Sequence, residues 1–282
     1  MTSEDSSDYK LISCKPFAPN LGAEIHGVDL SQTVPDDQFA EIHRAFLTYQ
    51  VLFFREQKEI PPKQHTAFAK RFGSLHKHPA APTMKGYPDI FEIHTTKDSK
   101  IANGEFWHSD VSCDEIPPLG TMLQIHIVPQ CGGDTMFNNM YLAYEGLSPP
   151  IQKMVRGLTA LHSSKHIYKG RYADRGQSDD NIDCPQAIHP VVRTHPETGK
   201  KALFVNRTFT TKINGLSECE RSTHGEKIFG SLHGYHGLRA KDPCETRGGL
   251  FSYCIRHPVS RIDSANIAYL DRDYYLQYKK NF

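Results

Sequence analysis

The stretch Phe106-Trp107-His108-Ser109-Asp110-Val111-Ser112 runs on through Pro117-Pro118 into Gly120-Thr121-Met122-Leu123-Gln124-Ile125-His126-Ile127-Val128, and it carries most of what the chain reveals about itself. In its second half Leu123, Ile125 and Ile127 alternate with Gln124 and His126, the period of a strand with one buried face. In its first half a histidine and a carboxylate stand two residues apart. On extended backbone, positions i and i+2 project to one face, so His108 and Asp110 can reach a single metal ion. Imidazole plus carboxylate suits Fe(II) bound by two histidines and one carboxylate, an arrangement that leaves coordination positions open. A zinc hydrolase built on the same pair is a rival reading, and it needs a water-activating base. H-x-D alone also occurs by chance, so its context decides.

Working outward, the chain supplies strands with short turns and a few helices. Pro35-Asp36-Asp37 precedes Phe39, Ile42, Phe46 and Tyr49, an apolar stripe at helical spacing. Val51 to Phe54 reads as a short, fully apolar strand, and a second helix starts at Pro61-Pro62, carries Phe68 and Phe72, and stops at Gly73. Gly132-Gly133-Asp134-Thr135 is a turn, with a strand starting at Met136-Phe137. Tyr141 to Val155 predicts two short helical pieces broken at Pro149-Pro150, and Lys165 to Asp183 a surface loop serving as a lid. Val191-Val192-Arg193 and Ala202-Leu203-Phe204-Val205 flank Pro196-Glu197-Thr198-Gly199 as a hairpin. No strand–helix period repeats, so the pattern favours a mostly β, double-sheet jelly roll with flanking helices over alternating βα units.

Composition narrows the function classes. The 282 residues suffice for a large buried core, and Lys+Arg 33 against Asp+Glu 32 leaves a net charge of +1. No overall field then exists to hold a nucleic-acid backbone or an anionic membrane, so neither is expected as a partner. The densest apolar run, Val51 to Phe54, ends at Arg55, far short of a membrane span. The acidic, serine-rich start, Met1 to Tyr9, is unlike a secretory signal, and residues 1–20 read as a flexible tail before a single domain over 21–282. Seven cysteines without a CxxC pair predict reduced thiols in a cytoplasmic setting. A homo-oligomer is left open.

The block from Phe106 to Ser112, with Pro117-Pro118, the strand from Gly120 and Gly132-Gly133-Asp134-Thr135, resembles the taurine dioxygenase (TauD/TfdA) family of Fe(II)/2-oxoglutarate dioxygenases. Further segments resemble it in the same order: Leu21 to Leu30, Val51 to Arg55, Arg71 to Pro79, His189 to Gly199 and Phe204 to Thr210. The resemblance implies a double-stranded β-helix, clavaminate synthase-like, with Fe(II) held by His108, Asp110 and a distal histidine. It implies 2-oxoglutarate as cosubstrate, its far carboxylate meeting Thr135 and a distal arginine. His78, Tyr168 and Phe209 match substrate-contact positions. Ala81 stands where taurine enzymes place a Tyr and Gly104 where they place an Asn, with Asn103 the nearest match. The implied activity is hydroxylation of a small sulfonate or related acid with O2, yielding succinate and CO2 and, for a sulfonate, sulfite plus an aldehyde.

After Leu216 the family pattern fades, and 217–282 is atypical. The family's Trp-Asp-Asn-Arg-x-Thr-x-His and its later arginine are not present as such. By spacing, His257 takes the distal ligand's place, and Arg272 is the candidate for the carboxylate, somewhat too far along. The tail from Glu218 to Phe282 has no clear periodicity. A diverged C-terminus and a shifted reading frame near Ser217 both account for it; the second leaves the last strands without partners. A binding protein of the same fold without turnover is therefore the alternative function.

Overall fold

The computed structural model describes residues 8–95, 106–127, 135–171 and 182–217, and three later strands at 238–240, 249–255 and 270–279. The elements open with β1 (Ser13–Ala18), β2 (Leu21–His26), α1 (Asp36–Tyr49), β3 (Val51–Gln57), α2 (Pro62–Lys70), β4 (Ser74–His76), β5 (Thr83–Met84) and β6 (Tyr87–Thr95). After the histidine–aspartate segment come β7 (Gly120–Gln124), β8 (Thr135–Phe137), α3 (Met140–Glu145), α4 (Pro149–Val155), β9 (Thr159–Ser163) and α5 (Lys165–Tyr168). The chain continues with β10 (Gln186–Pro190), β11 (Val192–Thr194), β12 (Lys201–Leu203), β13 (Thr210–Asn214), β14 (Leu238–Ala240), β15 (Gly249–Ile255) and β16 (Leu270–Lys279).

The helix α1 forms where its stripe predicts. Asp36 and Asp37 sit in its first turn, where negative charge meets the positive end of the helix dipole, and Ile42, Ala45 and Phe46 face the core. It ends because Gln50 turns left-handed (φ 66°), its N–H donating to the Phe46 carbonyl at 2.8 Å, and the chain leaves directly into β3. Phe46 and Phe39 meet Phe72 edge-on, at 5.6 and 4.7 Å between ring centres, which locks α1 against the end of α2.

The large sheet runs β1-β2-β3-β15-β7-β16-β6-β5, with β4 paired to β16. Its pairings are antiparallel except for β2 beside β3. A smaller sheet, β10-β9-β13, the hairpin β11-β12 and the pair β8-β14 make up the rest. One apolar cluster lies between α1, α2 and the large sheet; a second packs α3 and α4 against β9, β12 and β13.

Four expectations change. The sheet begins at Ser13, whose partner is His26, so the segment expected to be a tail over residues 1–20 already holds a paired strand. The predicted strand from Gly120 closes at Gln124, and Lys165–Tyr168, expected to be loop, is a short helix. The stretch after Ser217, patternless in sequence, supplies β15 between β3 and β7 and β16 between β7 and β6. Strands with a neighbour on each edge are held by backbone ladders on both sides, so their place does not depend on alternating side chains.

Candidate active site

His108 and Asp110 come together, but not as neighbours on a strand. Residues 110–116, ahead of β7, are a series of turns: Ser112 N–H donates to the Ser109 carbonyl at 3.3 Å and Asp114 N–H to the Val111 carbonyl at 3.0 Å. Val111 adopts φ 44°, a left-handed conformation that costs a β-branched residue about 1–2 kcal/mol. The reversal just after Asp110 brings its Oδ1 to 3.2 Å from His108 Nε2.

That spacing suits one ion. Two ligands each about 2.1 Å from a metal and at right angles lie about 3.0 Å apart. The chemistry of the pair agrees. His108 Nδ1 donates to the Phe106 carbonyl at 2.7 Å, which fixes the proton there and leaves the Nε2 lone pair for a cation. Asp110 Oδ2 accepts from Thr121 Oγ1 at 2.6 Å, which turns Oδ1 toward His108. Burial works against an imidazolium at His108, yet the hydrogen bond and charge of Asp110, with the Phe106 carbonyl, raise its pKa above the ordinary value. A divalent cation would take the proton's place in the same field. Among the described residues no group of three His, Cys, Asp or Glu side chains converges on one point, so the pair is their whole contribution to a ligand set.

Beside the pair lies an apolar wall of Ala80, Ala81, Phe91, Val111, Tyr168 and Phe209. His78 sits against it, its ring 5.0 Å from Phe91 and 5.2 Å from Tyr168, and Tyr168 is 6.0 Å from Phe209. Backbone N–H groups of Ala80 and Ala81 donate to His78 Nδ1 at 3.1 and 2.9 Å. Nδ1 is therefore an acceptor, and the neutral ring carries its proton on Nε2. Burial first, then the neighbouring His76 ring and Arg171, push the His78 pKa down to about 3 against the Asp110 and Asp114 carboxylates. His78 is thus a neutral N–H donor across ordinary pH. Arg171, just past α5, bears electrostatically on both His78 and His108.

The family profile described as taurine catabolism dioxygenase TauD, TfdA family matches residues 13–232. The chain belongs to the TauD/TfdA family. It is 32% identical over 229 residues to an alkylsulfatase of Acinetobacter baylyi, the match covering 78% of this chain and 70% of that one. It is 30% identical over 227 residues to an alpha-ketoglutarate-dependent sulfate ester dioxygenase of Pseudomonas putida, covering 78% and 73%. A taurine dioxygenase structure from Burkholderia xenovorans superposes with a TM-score of 0.76 at 26% identity, over 96% of this chain and 92% of that one. The strand-rich architecture is accordingly the jelly roll of this family, and the protein is a 2-oxoglutarate-dependent dioxygenase that uses Fe(II) and O2 on a small-molecule substrate. The comparisons lend no support to a fold without turnover.

Of the residues singled out from sequence, this TauD/TfdA chain brings His108 to Asp110 and gathers His78, Tyr168 and Phe209 into one cluster beside Val111. Thr135 is half-buried at the start of β8. Arg272 stands on β16 between the Leu270–Thr95 and Asp273–Ile93 pairings, where the register shifts. His257 and Asn103 lie outside the described residues. Tyr168, expected on an exposed lid, is instead buried on α5 because its ring packs on His78. Sequence reasoning missed Thr121 and Arg171. Neither carries a local signal, since one is a strand residue and the other a loop cation.

Proposed function

We propose that this dioxygenase oxidises a small organic sulfate or sulfonate whose carbon body is apolar. The observation that supports this reading is His78: a neutral Nε2–H donor beside an apolar wall that also borders the His108–Asp110 segment. A sulfate or sulfonate group offers only acceptor oxygens to such a donor, and Arg171 adds a cation. Ala81, in place of the Tyr of taurine enzymes, leaves room along the wall for a longer chain. The names of the two bacterial relatives point to the same substrate class.

In this reading His108 and Asp110 hold Fe(II), with His257 as third ligand, and Thr135 and Arg272 receive the far carboxylate of 2-oxoglutarate. Tyr168, Phe209 and Asn103 contact the substrate. With 2-oxoglutarate the iron supplies oxidation of a substrate C–H bond by O2, giving succinate and CO2. The chain's own groups do the rest. Phe106 and Thr121 fix the orientation of the two ligands, His78 and Arg171 place the anionic head, and the aromatic wall keeps water from the reacting carbon. Hydroxylation at the carbon bearing the head group yields an aldehyde, with sulfite leaving from a sulfonate and sulfate from a sulfate ester. Cys14, Cys113 and Cys184 form no disulfide, which suits a reducing, cytoplasmic setting.

The test is succinate release against a panel of alkyl sulfates and sulfonates, with sulfate and sulfite assayed in parallel. His108→Ala and Asp110→Ala should each abolish succinate formation; turnover surviving in either variant removes this pair from iron binding. Succinate formation that no sulfate or sulfonate stimulates would dismiss the substrate assignment.

A further inference from the structure

The turn that presents His108 and Asp110 is fastened to the smaller sheet by a buried polar network that the chemistry above does not use. Ser112, fully buried and two residues past Asp110, accepts a hydrogen bond from Asn206 Nδ2 at 3.0 Å and lies 3.0 Å from His162 Nδ1. Asn206 is held in turn: its Oδ1 accepts from Phe209 N–H at 2.8 Å and its own N–H donates to Thr210 Oγ1 at 3.0 Å. His162 stacks on Phe204 with ring centres 5.3 Å apart. Since Ser112 Oγ accepts from Asn206, its own O–H is left to donate to His162 Nδ1, and this donor–acceptor order needs a neutral ring. Burial keeps His162 neutral, with a pKa lowered to about 3.

Two further fasteners hold the same turn. His76 Nε2 meets Asp114 Oδ2 at 2.7 Å, and His189 Nε2 donates to the Asp114 carbonyl at 2.8 Å. Upstream, Thr208 Oγ1 donates to the Trp107 carbonyl at 3.1 Å. Val111 lies between Asp110 and these anchors in its left-handed conformation. A strained residue keeps such a conformation only where its surroundings over-determine it. Ser112 is the nearest anchor in sequence, and it ties the turn to β9 and, through Asn206, to the segment between β12 and β13 that also carries Phe209.

The geometry points to Ser112 as a positioning residue: through His162 and Asn206 it holds the left-handed turn at Val111 so that Asp110 Oδ1 stays beside His108 Nε2 before any ion arrives. The inference rests on His108 and Asp110 as metal ligands. Ser112 touches neither substrate nor metal, and its effect is on the preorganisation of the pair.

The experiment is Mn(II) titration of the anaerobic, full-length protein by electron paramagnetic resonance, which reads metal affinity without turnover. Ser112→Ala should raise the Mn(II) Kd about 10–100-fold, the usual range for groups that orient ligands. Ser112→Cys keeps the volume with a poor hydrogen-bonding atom and should fold and fall between the two. Gln57→Ala is the control for general destabilisation. Its side chain binds Leu30 N–H and the Val28 carbonyl, so the variant should lower the unfolding temperature and bind Mn(II) as wild type does. Asp110→Ala reports on the ligand assignment itself. Wild-type affinity in both Ser112 variants while Asp110→Ala loses binding would overturn the positioning role alone. Equal losses in Gln57→Ala and Ser112→Ala would also overturn it, since affinity would then follow overall stability. Full affinity in Asp110→Ala would overturn the ligand reading and the inference with it.

Discussion

Acidifying the protein from pH 7 to pH 5 should cost it a large part of its stability through two buried histidines. His65 on α2 and His162 on β9 are 1% and 0% exposed. Burial, with His126 near the first and His189 near the second, lowers each pKa from 6.5 to about 3. The unfolded chain therefore binds more protons than the folded one between about pH 6.5 and pH 3. The stability these residues confer is fully present above pH 6.5 and is lost as pH falls through that window. At pH 5 each such histidine costs about 2 kcal/mol relative to neutral pH, and the pair about 4 kcal/mol, against a typical total of about 5–15 kcal/mol. The assay is urea unfolding followed by tryptophan fluorescence at half-unit pH steps, in wild type and in His65→Leu. The variant should show a pH 7 to 5 loss about 2 kcal/mol smaller than wild type, whatever its absolute stability. Identical pH dependence in the two proteins would refute the claim that buried neutral His65 drives the acid loss.

Other outcomes follow from single contacts. Thr121→Val keeps the side-chain shape but removes the 2.6 Å hydrogen bond to Asp110; it should weaken Mn(II) binding about tenfold, read by titration, since bonds to charged groups contribute about 1.5–3 kcal/mol. Arg171→Ala should raise the KM for an anionic substrate about fivefold with little change in kcat, the size expected of a half-exposed charge contributing about 1 kcal/mol. Equal KM in wild type and variant would place that cation outside substrate binding. Asn139 caps α3 by accepting from the N–H groups of Tyr141 and Leu142, so Asn139→Ala should cost about 1–2 kcal/mol in urea unfolding with succinate formation retained.

Legibility differed from element to element for physical reasons. The helix α1 could be read because its stripe and acidic first turn are local, and so could the start of β3, the apolar run Val51 to Phe54. The strands β15 and β16 could not, because their places between β3, β7 and β6 depend on pairing across the whole chain. At the site, H-x-D spacing points to two side chains that the structure does bring together, but by a different route. The pair meets across a turn with a left-handed valine, not along a strand face. The polar flanks of Tyr168 predict a lid, yet ring packing on His78 buries it.

By itself the sequence determined the chemical inventory and its family: a histidine and a carboxylate two residues apart, a histidine before Pro79, and helices and strands whose periods are written locally. Tertiary structure alone decided what those groups can do. The protonated nitrogen of His78, the orientation of the Asp110 carboxylate and the neutrality of His162 are set by Ala80 and Ala81, by Thr121, and by burial on the small sheet. Protonation state and orientation depend on what surrounds a side chain in space, and residues distant along the chain supply most of those surroundings.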